Sequence, residues 1–144
     1  MDFELINAQF CALRDQVKIK KGHIGFYDLA MQPKGDGTPH IEIDGDRLHF
    51  VISERGVEYE RRTTSDLDEL LYWLVTKLTH YAAQERLRRS CNPQWNKREV
   101  WFREEEKILN NLNPTWGQRR KTYHDWLLYP EKRDELPRPI DFLE

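Results

Sequence analysis

The feature that most constrains the fold is a change in hydrophobic period near residue 65. From 40 to 63, apolar side chains recur at every second residue, and two turn signals, Asp44-Gly45-Asp46 and Arg55-Gly56, divide this stretch into three segments. After Ser65 the leucines recur at spacings of three and four, as on one face of a helix. The sequence therefore predicts a three-stranded antiparallel meander followed directly by a helix, because an isolated meander needs an apolar cover.

Helices are predicted on both sides of the meander. They share apolar residues at spacings of three and four and are bounded by cap and breaker residues such as Ser65 and Asn92-Pro93. Their approximate spans are residues 2–19, 65–89, 94–111 and 114–129. A glycine-rich loop with a short extended piece at Ile24–Leu29 is expected before the meander. The predicted class is α+β, a small antiparallel meander (about 40–63) packed by an N-terminal helix and three C-terminal helices.

The length and composition indicate an ordinary folded chain. We predict a single domain over residues 1–130 of the 144 and, because prolines and mixed charges follow, an irregular tail over 131–144. The first residues lack the basic flank and apolar stretch of a secretory signal, and no apolar run is long enough to span a bilayer. Two cysteines are too few for a disulfide framework, which favours a cytoplasmic location.

The sequence contains no established catalytic or cofactor motif, since a P-loop, GxGxxG, HExxH and GxSxG are all absent. The five histidines have no pair at helical ligand spacing, and neither cysteine has a CxxC partner. We therefore expect no cofactor, no metal site and ordinary surface or half-buried histidines. An enzyme with an unrecognised pair of carboxylates remains a rival interpretation, because such a site needs only two acids in different environments.

Carboxylates are concentrated in the meander, where residues 39–65 hold six acids against four bases. Strict alternation places Glu58, Glu60 and Arg62 on one face of the third strand. Three interpretations are open: a solvated face stabilised by cross-strand ion pairs, an acid/base site, or an acidic patch that faces a basic partner. Arg61 is expected to pair with Glu54 or Glu58 across the hairpin.

Residues 93–129 have the opposite bias, with seven Lys or Arg against five acids and several interleaved aromatic residues. Such a mixture is typical of surfaces that bind single-stranded nucleic acid. The aromatic residues also fall on the helical stripes that must cover the sheet, and core packing is the simpler explanation. The basic run Gln118–Lys121 is expected on a solvated helix face. A nucleic-acid-binding module that uses these helices is the alternative function.

One stretch resembles a known family. The run from Glu60 to Leu74 (ERRTTSDLDELLYWL), preceded by His49 to Gly56 (HFVISERG), is similar to the core signature of the immunity-protein family numbered 63 of bacterial polymorphic toxin systems. The resemblance continues more loosely to about residue 130, through Arg98, Phe102, Glu105, Leu109, Leu112, Pro114, Trp116, Arg119 and Arg120. The segment between Thr79 and Asn96 departs from the family's pattern.

The resemblance implies a protein that is not an enzyme and that carries no catalytic residues. It implies that the chain is made in the toxin-producing cell and neutralises a cognate toxin by binding its toxic domain tightly. Our interpretation is that the chain occludes the active site or substrate channel of that domain. Neither a membrane nor a nucleic acid is a partner in this interpretation. We expect the contacts at charged hairpin positions, with one aromatic anchor: Glu42, Asp44, Asp46, Glu54, Glu58, Glu60 and Tyr72.

Overall fold

A computed structural model describes residues 2–21 and 26–141. The chain divides into two compact units, Met1–Leu78 and Thr79–Glu144. The first unit contains helix α1 (Phe3–Val17) and strands β1 (Asp36–Asp44), β2 (Arg47–Glu54) and β3 (Val57–Thr64). Helix α2 (Leu67–Arg89) begins in the first unit, and the second unit continues with α3 (Arg98–Leu112), α4 (Pro114–Leu128) and a short 3-10 turn (Pro130–Lys132). The predicted α+β class, with three antiparallel strands and four helices in this order, is confirmed.

The three strands form a meander in which β2 is central and both pairings are antiparallel. Arg55 and Gly56 both have positive φ, which gives the β2–β3 turn the geometry of a type I′ hairpin. Strand β1 begins at Asp36, four residues before the predicted start. The glycine-rich sequence at residues 35–37 had favoured a loop. Gly37, with φ 84°, instead allows an irregularity in the register between Asp36 and Pro39, and β1 continues through this irregularity.

The helix ends show which side chains satisfy the free backbone groups. Asp2 accepts a hydrogen bond from the Leu5 N–H at 2.9 Å, and Asn113 accepts from the N–H groups of Thr115 and Trp116, with Pro114 in the first turn as predicted. The predicted cap of α2 at Ser65 is wrong. The Asp66 carboxylate instead accepts from the Asp68 N–H at 3.0 Å.

Two further predictions about local structure differ from the observed fold. Residues 93–96 form turns in place of the first helical turn expected there, since the Trp95 N–H donates to the Asn92 carbonyl and the Lys97 N–H donates to the Gln94 carbonyl. The predicted extended piece at Ile24–Leu29 lies partly outside the described residues, and residues 26–29 form no strand. No helix in the described ranges is both long and apolar enough to cross a membrane.

The core of the first unit is aromatic and aliphatic. Phe10 of α1 stacks on Phe26 with ring centroids 5.4 Å apart, and Phe50 of β2 meets Trp73 of α2 edge-on at 6.2 Å. The face of the sheet that carries Phe50 is therefore the face that packs on α2. The register places Ile41, Leu48 and Ile52 on the same side, and we call this side the Phe50 face.

In the second unit, α3 and α4 approach closely at Gly117. A Cβ atom at this position would lie 2.5 Å from Asn110 Oδ1 and 2.9 Å from Asn110 Cα. Only glycine fits this distance, so Gly117 sets how near the two helices lie.

After α4 the Arg133 Nε donates to the Trp126 carbonyl oxygen, and Arg119 pairs with Asp141 at 2.7 Å. The division of the chain into a domain over 1–130 and a tail over 131–144 stays a prediction.

Candidate functional site

The face of the sheet opposite the Phe50 face carries an ionic cluster centred on Arg61. The Arg61 guanidinium donates to Glu42 at 3.0 Å and to Glu58 at 2.8 Å, and the second oxygen of Glu42 lies 2.9 Å from His40 Nε2. The register places these side chains on the same face as Val51, so we call it the Val51 face and the four residues the Arg61 cluster. Of the two predicted partners of Arg61, Glu58 is confirmed, and Glu42 was not foreseen.

This arrangement holds both carboxylates in the ionised form. Hydrogen bonds from Arg61 and His40 lower the pKa of Glu42 from 4.5 to about 2. The bond from Arg61 also lowers the pKa of Glu58 below its usual value. The side chains of Arg61, Glu42 and Glu58 are each more than one third exposed, so the cluster presents fixed charges of both signs to solvent.

The prediction that Glu58 and Glu60 share a strand face is wrong. Ser53 pairs with Glu58 while its neighbour Ile52 pairs with Glu60, so two residues of β3 advance against one of β2. This β-bulge at Tyr59 reverses the alternation, because an extra residue shifts every later side chain to the other face. Glu58 therefore lies on the Val51 face.

Glu60 lies on the Phe50 face, where it pairs with Arg62. The Arg62 guanidinium lies over both Phe50 and Trp73, at 5.9 and 5.7 Å from the ring centroids. An arginine held between a carboxylate and two aromatic rings is part of the sheet–helix packing. Glu60 is thus tied to the scaffold on the side of the sheet away from Glu42 and Glu58.

The remaining predicted acids lie at opposite ends of the sheet. Asp44 pairs in register with Arg47 beside the β1–β2 turn, which also holds Asp46, whereas Glu54 stands at the β2–β3 turn. At about 3.4 Å per residue these two ends are about 24 Å apart. Among the described residues these three acids form no side-chain ion pair, and all are exposed. The six predicted acids therefore occupy several places around the sheet.

Tyr72, which the sequence suggested as an aromatic anchor for a partner, has only 1% of its surface exposed. Every residue of α2 from Leu70 to Thr76 is buried, so this part of the helix has no outer face. The leucine spacing indicated one buried stripe, and it underestimated the burial on the other sides. A core residue offers no surface to a partner in this conformation, and we leave Tyr72 out of the candidate surface.

A second ionic cluster, which sequence reasoning missed, is buried in the helical unit. The side chain of Glu105 is fully buried, and it lies 3.3 Å from Arg120, 3.2 Å from His124 Nε2 and 2.8 Å from the Thr79 hydroxyl, which donates to it. The other ring nitrogen of His124 lies 2.7 Å from Glu106. Burial works to raise the pKa of Glu105, but Arg120, His124 and Thr79 together lower it below its usual value.

Several basic side chains of α3 and α4 pair with carboxylates of the same chain. The expectation of a solvated basic face at Gln118–Lys121 is wrong for Arg119 and Arg120, whose side chains are 13% and 15% exposed and pair with Asp141 and Glu105. Lys121 pairs with Asp125 at 2.7 Å. Cations already neutralised by carboxylates release few counterions on binding a phosphate backbone, which argues against the nucleic-acid alternative.

The aromatic residues of this unit serve packing in the same way. Trp116 is buried, and Trp101 donates its indole N–H to the His80 carbonyl at 2.8 Å.

A shallow cleft of about 280 Å³ follows the α3–α4 seam, lined by Arg103, Glu106, Lys107, Asn110, Gly117, Gln118 and Lys121. Within residues 2–21 and 26–141 no group of three or more His, Cys, Asp or Glu is arranged to hold a metal ion.

By fold and by its charged clusters, this is a small α+β protein with an ionic sheet face and a buried ionic cluster in its helices. A family described as Immunity protein 63 matches residues 44–125, which is more than half of the chain. Searches of curated proteins and of solved structures found no match. The chain belongs to the Immunity protein 63 family. The matched stretch contains the whole buried ionic cluster of Thr79, Glu105, Glu106, Arg120 and His124. It contains half of the Arg61 cluster, since Glu42 and His40 precede it.

Proposed function

We propose that this chain is an immunity protein that binds and neutralises a cognate toxin domain in the cytoplasm of the bacterium that makes both. It acts by occluding the active site or substrate channel of the toxin domain and carries out no chemical step of its own. The family membership is the single observation that carries this proposal. The toxin domain would belong to a polymorphic toxin system, in which the producing cells need protection from the toxin that they make.

The charge distribution supports capture of a basic protein surface. The strands and turns from Asp36 to Thr64 hold seven acids and four arginines, a net charge of −3, while the whole chain has −2. Complementary charge accelerates encounter between proteins and fixes their orientation. The proposed contact residues are Glu42, Asp44, Asp46, Glu54, Glu58 and Glu60.

Within this set the acids contribute differently to binding. Glu42, Glu58 and Glu60 already pair with arginines of their own chain, so a partner gains little from approaching them. Asp44 and Asp46 form a compact pair at the β1–β2 turn with no such pairing among the described residues. We propose that this turn supplies most of the electrostatic steering toward the toxin domain.

The first test is protection of cells. The toxin domain encoded beside this chain's gene is expressed under an inducible promoter with and without the chain, and survival is measured. We expect growth only when the chain is present, together with a complex that purifies intact. Killing that is unaffected by a folded, well-expressed chain would refute the proposal.

The second test measures association rates for two double variants of equal net charge. Asp44→Lys/Asp46→Lys changes the contact turn, and Asp134→Lys/Glu135→Lys changes two exposed acids of the C-terminal segment, so both chains carry +2 in place of −2. At low salt we expect the first variant to associate at least about tenfold more slowly, and the second much less so. The difference should fade at high salt. Equal slowing in both variants would show that only total charge matters.

A further inference from the structure

Two exposed apolar residues lie two positions apart at the start of β3. Tyr59 has 68% of its surface exposed and Val57 has 52%, although both belong to a strand. All six residues from Glu54 to Tyr59 are exposed, so the β2–β3 turn and the first three residues of β3 form one continuous exposed stretch. Tyrosine is among the residues that most often dominate binding energy at protein interfaces, because its ring supplies large contact area at little entropic cost.

The backbone that carries these side chains is well fixed. The type I′ turn closes the hairpin without strain at Gly56, and the Arg55 N–H donates to the Gly35 carbonyl at 3.1 Å. Next to Tyr59, the Glu58 carboxylate is held by the Arg61 guanidinium through bonds of 2.8 to 3.2 Å. A side chain presented on a fixed backbone loses less conformational entropy on binding than one on a loop.

We propose that Tyr59 and Val57 are the anchor with which this chain holds the toxin domain. They enter an apolar recess on that protein, and basic side chains at the rim of the recess face the acidic sheet. This inference rests on the proposed function and adds the part of the surface that determines how long the complex lasts. Tyr59 is the extra residue of the bulge, and its neighbours Glu58 and Glu60 lie on opposite faces of the sheet.

The commitment to a basic protein partner comes from charge. Of the seven acids in the sheet region, Glu54 at the same turn has no ion-pair partner among the described residues, and the region is negative overall. A second copy of this chain would bring the same negative charge to the contact and is disfavoured by repulsion. Self-association through this hairpin is therefore an outcome that would count against the proposal.

The experiment compares dissociation of the inactivated toxin domain from the chain and from four single variants. Tyr59→Ala and Val57→Ser remove the anchor. Tyr81→Ala and Leu5→Ser are the matched controls, since both residues are 48% exposed and lie outside the hairpin. Because all four changes are on the surface, each variant should melt within about 2 °C of the parent chain.

We expect Tyr59→Ala to weaken binding about 30-fold, chiefly through faster dissociation, and Val57→Ser about fivefold. The controls should stay within about twofold, and the loss in Tyr59→Ala should persist at high salt, unlike the effect of Asp44→Lys/Asp46→Lys. If the parent chain binds and Tyr59→Ala binds equally well, the anchor is overturned while the proposed function stands. No binding by the parent chain would overturn both. A free chain that dimerises, and that Tyr59→Ala makes monomeric, would assign the hairpin to self-association.

Discussion

Replacing Arg120 by methionine tests whether the buried cluster of the helical unit is held by charge. Methionine keeps a long apolar stem, so the change mainly removes the guanidinium that lies 3.3 Å from the fully buried Glu105. Removing one partner of a buried ion pair costs about 3–5 kcal/mol, because the remaining charge is left without compensation. His124 and Thr79 still face Glu105 in the variant. We therefore expect a loss of unfolding free energy at the lower end of this range, about 3 kcal/mol at pH 7.

The assay is urea unfolding at pH 7 and pH 5. In the parent chain the depressed pKa of Glu105 contributes stability that is present above its unfolded value of 4.5 and is lost as the pH falls. Among the groups that lower the pKa of Glu105, Arg120 has the largest effect, so removing it should raise that pKa, and the destabilisation should shrink as the pH falls toward 5. Lys107→Met is the control, since Lys107 is 75% exposed and should change stability by less than about 0.5 kcal/mol. If Arg120→Met lowers the unfolding free energy no more than Lys107→Met does, the buried cluster is not held by the charge of Arg120.

Two further predictions concern the helix seam and the sheet. Gly117→Ala should destabilise the chain by about 1 kcal/mol in chemical unfolding, because the clash with Asn110 outweighs the better helix propensity of alanine; stabilisation by about 1 kcal/mol would contradict this. Arg61→Gln should lower the free energy of unfolding by about 1 kcal/mol at pH 7. This value is small because the side chains of Arg61 and Glu42 are both more than one third exposed. Arg61 helps to hold the pKa of Glu42 at about 2, so the loss of stability in Arg61→Gln should decline as the pH falls from 4.5 to 2. A loss of stability that does not depend on pH would contradict the assigned pairing.

The sequence predicted the elements of the fold because their patterns are local. Alternation over 40–63 and the turn chemistry at Arg55-Gly56 determine a meander, and the cap at Asn113 marks the start of α4. The sheet faces were harder to predict, since strict alternation assumes no extra residue. Tyr59 carries no signal of the bulge that places Glu58 and Glu60 on different faces.

The candidate sites were less predictable than the fold because they depend on distant pairs. Glu105 and Arg120 lie on different helices, and nothing in their own neighbourhoods shows that they meet. A feature that pointed to this cluster was the helical spacing, which places Glu105 between the apolar positions Phe102 and Ile108. Tyr72 shows the opposite error, since its burial follows from packing on all sides of α2 and not from the leucine stripe alone.

The central claim is that this chain works by binding another protein. Titration calorimetry of the purified chain with the inactivated toxin domain from the neighbouring gene tests it most directly. We predict one-to-one binding with a nanomolar or lower Kd, and loss of the active domain's toxicity at the same stoichiometry. Heat no greater than that of dilution at micromolar concentrations, while the chain still protects cells, would contradict the account and indicate protection by another route.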